Sequence, residues 1–155
     1  MCLIIDVNSI PSVFDEKASD HENFLPIKSW IYEGKGKIIY GGSTFLGELG
    51  KLERYRRLFQ LLSDAGSVVV LDKSEVDRHE DEVKKSMKRD CDDPHLIAIA
   101  RVSKCKVICT KDARADKHIK DKNNYTKDSC PPKIYRTKRS AQHLINDKNC
   151  VKCCQ

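Results

Sequence analysis

Four short, largely apolar runs recur along the chain: Cys2-Leu3-Ile4-Ile5, Lys37-Ile38-Ile39-Tyr40, Val68-Val69-Val70-Leu71 and Lys106-Val107-Ile108-Cys109. Each has the length of a strand, and a strand that is apolar at consecutive positions must be covered on both of its faces. Between these runs lie longer segments of helical character, and that alternation predicts an α/β fold in which a mostly parallel sheet is flanked by helices. The chain has 155 residues, the size of one ordinary domain and enough to bury roughly two-thirds of its unfolded surface. Residues 1–148 are therefore read as one domain, and residues 149–155 as a cysteine-rich tail expected to be disordered.

The helical segments can be placed from their spacing. Ser43 opens a long helix in which Phe45, Leu49, Leu52, Phe59 and Leu62 recur at helical intervals, with a glycine stop at Gly66. Residues 74–89 read as a polar, charge-laced helix, 94–103 as a buried one and 113–120 as a short one. Ile134-Tyr135 reads as a final edge strand, 123–132 as a long loop, and 140–145 as a closing helix.

Met1 leads straight into the first apolar run without the basic region and cleavage site of a signal peptide, and no apolar run approaches the ~20 residues needed to span a bilayer. The expectation is a cytoplasmic chain that does not enter a membrane. The 8 cysteines are accordingly read as free thiols, because the tail Cys150-Val151-Lys152-Cys153-Cys154 supplies only half of a structural zinc pattern.

The formal net charge is +6, and the excess is clustered: Arg54, Arg56 and Arg57; Lys84, Lys85, Lys88 and Arg89; Lys133, Arg136, Lys138 and Arg139. One basic run is usually a solvated face, but several together point to an anionic partner, nucleic acid above all. Within this basic chain, acids stand where strands hand over to helices. Asp6 follows the first run, Asp93-Pro94 opens the buried helix, and Asp112 follows the last core strand. Each could simply cap the turn or helix after it. Glu48 cannot, because it shares the stripe of Phe45 and Leu52 that faces the core, where an unpaired charge is costly. A shared divalent cation accounts for all four acids. It also reconciles an acidic site with a polyanionic partner. A dinucleotide-binding enzyme is poorly supported, since Gly34-x-Gly36 and Gly41-Gly42 do not supply the required glycine pattern after the first strand. A phosphotransfer enzyme would want a second acid where Asp6-Val7-Asn8 has an asparagine.

These residues resemble the PIN-domain nucleases. The likeness rests on Ile4-Ile5-Asp6-Val7-Asn8, Glu48-Leu49, Asp93 with Ala100 after it, and Thr110-x-Asp112, in that order and over residues 2 to about 120. The long 11–42 segment, Gly41-Gly42 and Asp92-Asp93-Pro94-His95 look more like a bacterial branch than the compact toxin members. The resemblance implies a three-layer α/β/α sandwich with a Rossmann-like sheet, in which Asp6, Glu48, Asp93 and Asp112 hold Mg²⁺ or Mn²⁺, with Asp92 and Asp116 as rivals for the outer places. It also implies Asn8 and Thr110 as polar supports. Lys111 and Arg114 would contact phosphate, with Arg54, Arg57, Lys88 and Arg89 as further nucleic-acid contacts.

The activity implied is metal-dependent endonucleolytic hydrolysis, with single-stranded or structured RNA favoured over DNA, in a toxin, a defence effector or a processing enzyme. Expected partners are nucleic acid, an antitoxin-like or defence-system protein, and a second copy in a homodimer. The competing expectation is a catalytically inactive PIN-like module that binds nucleic acid or protein.

Overall fold

The computed structural model describes residues 2–87 and 91–145. The expected disordered tail at 149–155, Lys88 and Arg89 therefore lie outside the described residues. Five strands, β1 (Cys2–Ile5), β2 (Lys37–Tyr40), β3 (Val68–Val70), β4 (Val107–Cys109) and β5 (Lys133–Tyr135), form one sheet in the order β3-β2-β1-β4-β5. All four pairings are parallel, with Leu3 opposite Ile38, Ile38 opposite Val68, Ile4 opposite Ile108 and Ile108 opposite Ile134. The helices are α1 (Ile10–Phe14), α2 (His21–Tyr32), α3 (Ser43–Gly50), α4 (Glu53–Asp64), α5 (Lys73–Ser86), α6 (Pro94–Ser103), α7 (Asp116–Ile119) and α8 (Lys138–Ala141). Together they make the three-layer α/β/α sandwich that the alternation predicts. Among the described residues, no helix is long and apolar enough to cross a membrane.

Burial explains the central runs. Every residue of β1 and β4 is inaccessible to solvent, as are Leu96, Ile97, Ala98 and Ile99 of α6. From β1 the chain steps outward through β2 to β3, then returns across the sheet to β4 and continues to β5. The direction of winding thus reverses between β1 and β4, and a doubly wound sheet opens a crevice at the carboxyl ends of the strands flanking that reversal. Asp6 follows β1 and Thr110-Lys111-Asp112 follows β4, so the fold delivers both segments to one place. The Asp6 N–H donates to the Cys109 carbonyl at 2.9 Å, tying the two strand ends together.

The expected long helix is in fact two. α3 ends at Gly50 and α4 begins at Glu53, with Leu52 out of helical geometry at φ −108°, ψ 73°. Gly47 and Gly50 weaken helix propensity just before the break. Leu52 continues the apolar spacing across it, which is why spacing alone reads as one helix. The segment between β1 and β2 forms α1 and α2, for which no helix was expected. Pro26 lies inside α2, at the sixth of its twelve positions, where its missing N–H removes one intrahelical hydrogen bond. His21 Nδ1 bonds the Ser12 carbonyl at 2.9 Å, and the Tyr135 hydroxyl donates to the Asn23 carbonyl at 2.9 Å, fixing α2 to α1 and β5. The cysteine expectation needs one correction: Cys91, Cys105, Cys109 and Cys130 are free, but Cys2 is disulfide-bonded. Spacing along a chain does not reveal which sulfurs meet in space.

α3 carries Glu48, and α5 sets its position. The Asp77 carboxylate accepts both the Ser43 N–H and the Ser43 hydroxyl at 2.6 Å, capping α3 from a neighbouring helix. Thr44 donates to the buried Glu80 at 2.8 Å, and Lys84 neutralises Glu80 at 2.6 Å. The chain can come this close only because residue 42 is glycine. Gly42 has φ +83°, and a Cβ there would lie 2.6 Å from Val76 Cγ1 and 3.2 Å from Asp77 Oδ1. Gly42→Ala is therefore expected to destabilise the protein by about 1–3 kcal/mol through overpacking and backbone strain together. Thermal denaturation checks this, and an unchanged melting temperature would show that α5 yields freely.

Candidate functional site

Asp6 is fully buried, and neutral donors satisfy both of its oxygens. Oδ1 accepts the Asn8 N–H at 3.2 Å and Oδ2 accepts the Thr110 hydroxyl at 2.8 Å. Thr110, itself buried, accepts the Asp112 N–H on the same oxygen at 3.1 Å. Asp6 and Asp112 are thus linked through one hydroxyl, and the turn after β4 is held further by the Lys111 N–H on Ser9 Oγ at 3.0 Å. Asn8 takes part through its backbone, with its side chain exposed.

Asp93 stands at the N-cap position of α6 but makes no side-chain capping hydrogen bond. Asp6 and Asp112 do accept capping N–H groups, from Asn8 and Arg114. The half-buried Asp93 carboxyl is raised from 3.8 to about 6, chiefly by loss of solvent and then by the negative charge of Asp6, with Asp112 and Glu48 adding to it and His95 opposing it. Three acids from three separate segments therefore act on one carboxyl group.

Glu48 is less buried than its place on the apolar stripe implies. Phe45 and Leu49 enter the core, whereas the Glu48 side chain stays 35% exposed at the rim of the stripe. Its neighbour is His95, which is 1% exposed and lies edge-on to Phe45. His95 Nε2 is 3.9 Å from Glu48 Oε2, too far for a hydrogen bond. Neither ring nitrogen of His95 has a hydrogen-bond partner, an uncommon condition for a buried polar group.

Asp112 is engaged by Arg114. The Arg114 N–H donates to Oδ1 at 2.8 Å, Nε to both oxygens at 3.1 Å, and Nη2 to Oδ2 at 2.7 Å. These bonds hold the Asp112 carboxyl below its ordinary range. The other arm of the guanidinium, Nη1, pairs with Asp92 at 3.2 Å. Asp116 faces a different partner, because Arg136 grips its carboxylate and Lys120 adds a contact at 3.3 Å.

Of the expected nucleic-acid contacts, Lys111 pairs with Asp20 at 3.4 Å, Arg54 with Asp15 at 3.1 Å and Arg57 with Glu53 at 2.7 Å. Arg136 escapes sequence reasoning, where it is one member of a basic run. In space, its Nε donates to the Thr110 carbonyl at 3.2 Å and its Nη2 to the Asp112 carbonyl at 3.1 Å, so it clamps the turn that bears Thr110 and Asp112.

The donors gathered here are carboxylate oxygens, which suit hard cations such as Mg²⁺ and Mn²⁺. Their charge also fits one, since Asp6, Asp93 and Glu48 make no ion pair with a lysine or arginine among the described residues. Among those residues, no three His, Cys, Asp or Glu side chains stand close enough to make a ready-formed metal centre. Comparison of the chain with protein-family models, with curated proteins and with solved structures finds no match.

Proposed function

We propose that this chain is a PIN-like, metal-dependent nuclease that hydrolyses phosphodiester bonds in nucleic acid, RNA in preference to DNA, in the cytoplasm. The observation that carries this reading is Asp93: a carboxylate at a helix start that caps nothing, lies half out of solvent, and is surrounded by the charge of Asp6, Asp112 and Glu48. Placing like charges together at the carboxyl end of a parallel sheet costs stability, and a cation that binds there would offset that cost.

Asp6 and Asp93 would hold the cation, with Glu48 and Asp112 completing the set. A bound divalent cation supplies Lewis acidity, making a water nucleophilic near neutral pH and neutralising charge that develops on the phosphate. The protein's own groups position that chemistry. Thr110 fixes the orientation of Asp6, and the Arg136 clamp holds the turn on which Thr110 and Asp112 sit. With water as the nucleophile and the 3′-oxygen as the leaving group, no ribose hydroxyl is needed, and the products would carry a 5′-phosphate and a 3′-hydroxyl. An antitoxin-like protein, a defence-system protein or a second copy of the chain is proposed as its regulator.

A second reading, a nucleic-acid-binding or protein-binding module without catalysis, is favoured by one observation: both oxygens of Asp112 are already engaged by Arg114. Incubating the purified protein with end-labelled single-stranded RNA and DNA, in Mn²⁺, Mg²⁺ or EDTA, separates the two. Cleavage that EDTA abolishes and that leaves 5′-phosphate ends is the expected result. Retained binding without cleavage in either metal would give the second reading first place.

A further inference from the structure

The geometry points to the groove between α2 and α8 as the subsite that holds the phosphate backbone of a nucleic-acid strand beside the carboxylates. This rests on the nucleic-acid part of the reading above and not on catalysis. The groove has a volume of about 540 Å³ and is lined by Glu22 and Asn23 in the first turn of α2, by Lys138 and Arg139 of α8, and by His143 beyond it. Small-ligand sites have volumes of roughly 300–1,000 Å³ but are walled mostly by apolar side chains. Every side chain named here is polar or charged, a lining that suits a hydrated, charged group such as a phosphate. The cations of the groove also differ from those elsewhere. Lys111, Arg54, Arg57 and Arg114 pair with the carboxylates of Asp20, Asp15, Glu53 and Asp112 respectively. Lys138 and Arg139 are exposed and pair with no carboxylate among the described residues. A phosphate that meets them displaces no ion pair, whereas at the other four it competes with one.

The groove is continuous with the segments that carry the carboxylates. β5 runs parallel to β4, so residues 136–139 leave the sheet at the same edge as Asp6 and Asp112. Tyr135, the last residue of β5, donates its hydroxyl to the Asn23 carbonyl and so fixes the α2 wall of the groove. Arg136 donates to the carbonyls of Thr110 and Asp112. Arg139 follows Arg136 within at most about 11 Å of chain, so one short segment carries both the clamp on the carboxylate turn and the cations of the groove. On the α2 side, the Lys111–Asp20 pair at 3.4 Å joins that turn to the N-cap of α2. Arg139 offers a planar fork to phosphate oxygens, and Lys138 a point charge. Glu22 works against both, offsetting one of the two positive charges at the groove.

Fluorescence anisotropy of end-labelled single-stranded RNA, titrated with the whole chain in EDTA over a series of KCl concentrations, tests this without requiring cleavage. A Lys138→Gln/Arg139→Gln double variant is expected to bind about 10–30-fold more weakly at about 0.1 M salt. It should also flatten the slope of log K against log salt by about 1.4, since each neutralised single-strand phosphate contributes about 0.7. Arg56→Gln removes an exposed cation that is unpaired among the described residues, from the basic run on α4, and should change affinity less than about 2-fold. Glu22→Gln should tighten binding by about 2–5-fold, a gain that poor folding cannot produce. A double variant that keeps the wild-type slope, an Arg56→Gln effect as large per charge removed, or a Glu22→Gln variant that binds no tighter would overturn the inference. Wild type that binds no RNA in EDTA would end the nucleic-acid reading together with the inference. Wild type that binds but never cuts in Mn²⁺ would end the catalytic reading alone and leave the groove as assigned.

Discussion

Asp93→Asn is expected to remove cleavage and, in the same protein, to raise the melting temperature. Losing a carboxylate from a cation's coordination shell forfeits several kcal/mol of transition-state stabilisation, or about 10²–10³-fold in rate. The stability gain follows from the same carboxyl group. Its folded value is about 6 against an ordinary 3.8, because burial and the charges of Asp6, Asp112 and Glu48 disfavour ionisation. A raised acid works in the opposite sense to an ion-paired one. Below the ordinary value the group is protonated in both states and costs nothing. As pH climbs through the window between the two values, the unfolded chain has released a proton that the folded chain still holds, so stability falls. Above about 6 the full penalty is present.

The limiting size of that penalty is roughly 3 kcal/mol from the two values, and solvent screening of a half-buried group reduces it to about 1–2 kcal/mol. Asparagine cannot ionise and escapes it. At about 2–4 °C per kcal/mol for a chain of this size, the variant should melt roughly 2–8 °C above wild type at pH 8 in EDTA, and level with it at about pH 3. Saturating Mn²⁺ should narrow or reverse the difference, because a bound ion stabilises only the protein that binds it. A variant that is inactive but no more stable in EDTA would mean that Asp93 is not under the repulsion described here.

How far the sequence speaks for the structure depends on whether a feature is local. β1, β4 and α6 are legible because their residues are buried on every side, leaving uninterrupted apolar text. α6 also carries Pro94 at its first position, where the missing N–H is harmless. α2 is hidden by Pro26 and by the polar residues around it, and its place is settled by His21 and Tyr135 through contacts far away in sequence. The break between α3 and α4 is hidden for the opposite reason, since Leu52 preserves the apolar spacing across two residues that are not helical. At the site, Asp6, Asp93 and Asp112 can be picked out because each lies beside a legible element. The partners that distinguish them cannot. Arg114 and Asp92 lie at the two ends of the α6–β4 segment and meet because the chain returns along itself there, whereas Asp6 and Thr110 meet only through the adjacency of β1 and β4. Arg136 is the extreme case, a charge in a basic run whose role depends on β5 lying beside β4.

That role makes Arg136→Ala the most damaging single change expected at a partly exposed position. The guanidinium serves two carbonyls of the turn, those of Thr110 and Asp112, and the carboxylate of Asp116. Truncation leaves all three short of a donor, and the loss of hydrogen bonds to a charged group together with a half-buried partner costs about 2–4 kcal/mol. The melting temperature should fall by roughly 4–16 °C. Because the same turn holds Thr110 against Asp6, loosening it should also lower any cleavage by about 10–100-fold, the usual size of losing support behind a metal ligand. Arg136→Lys restores the charge without the fork and should recover only part of both losses. Arg56→Ala, at an exposed position in another basic run, should change stability by less than about 0.5 kcal/mol. If Arg136→Ala instead melted like wild type and bound RNA more weakly, Arg136 would belong to the nucleic-acid surface, and the turn after β4 would owe its shape to Ser9 and Thr110 alone.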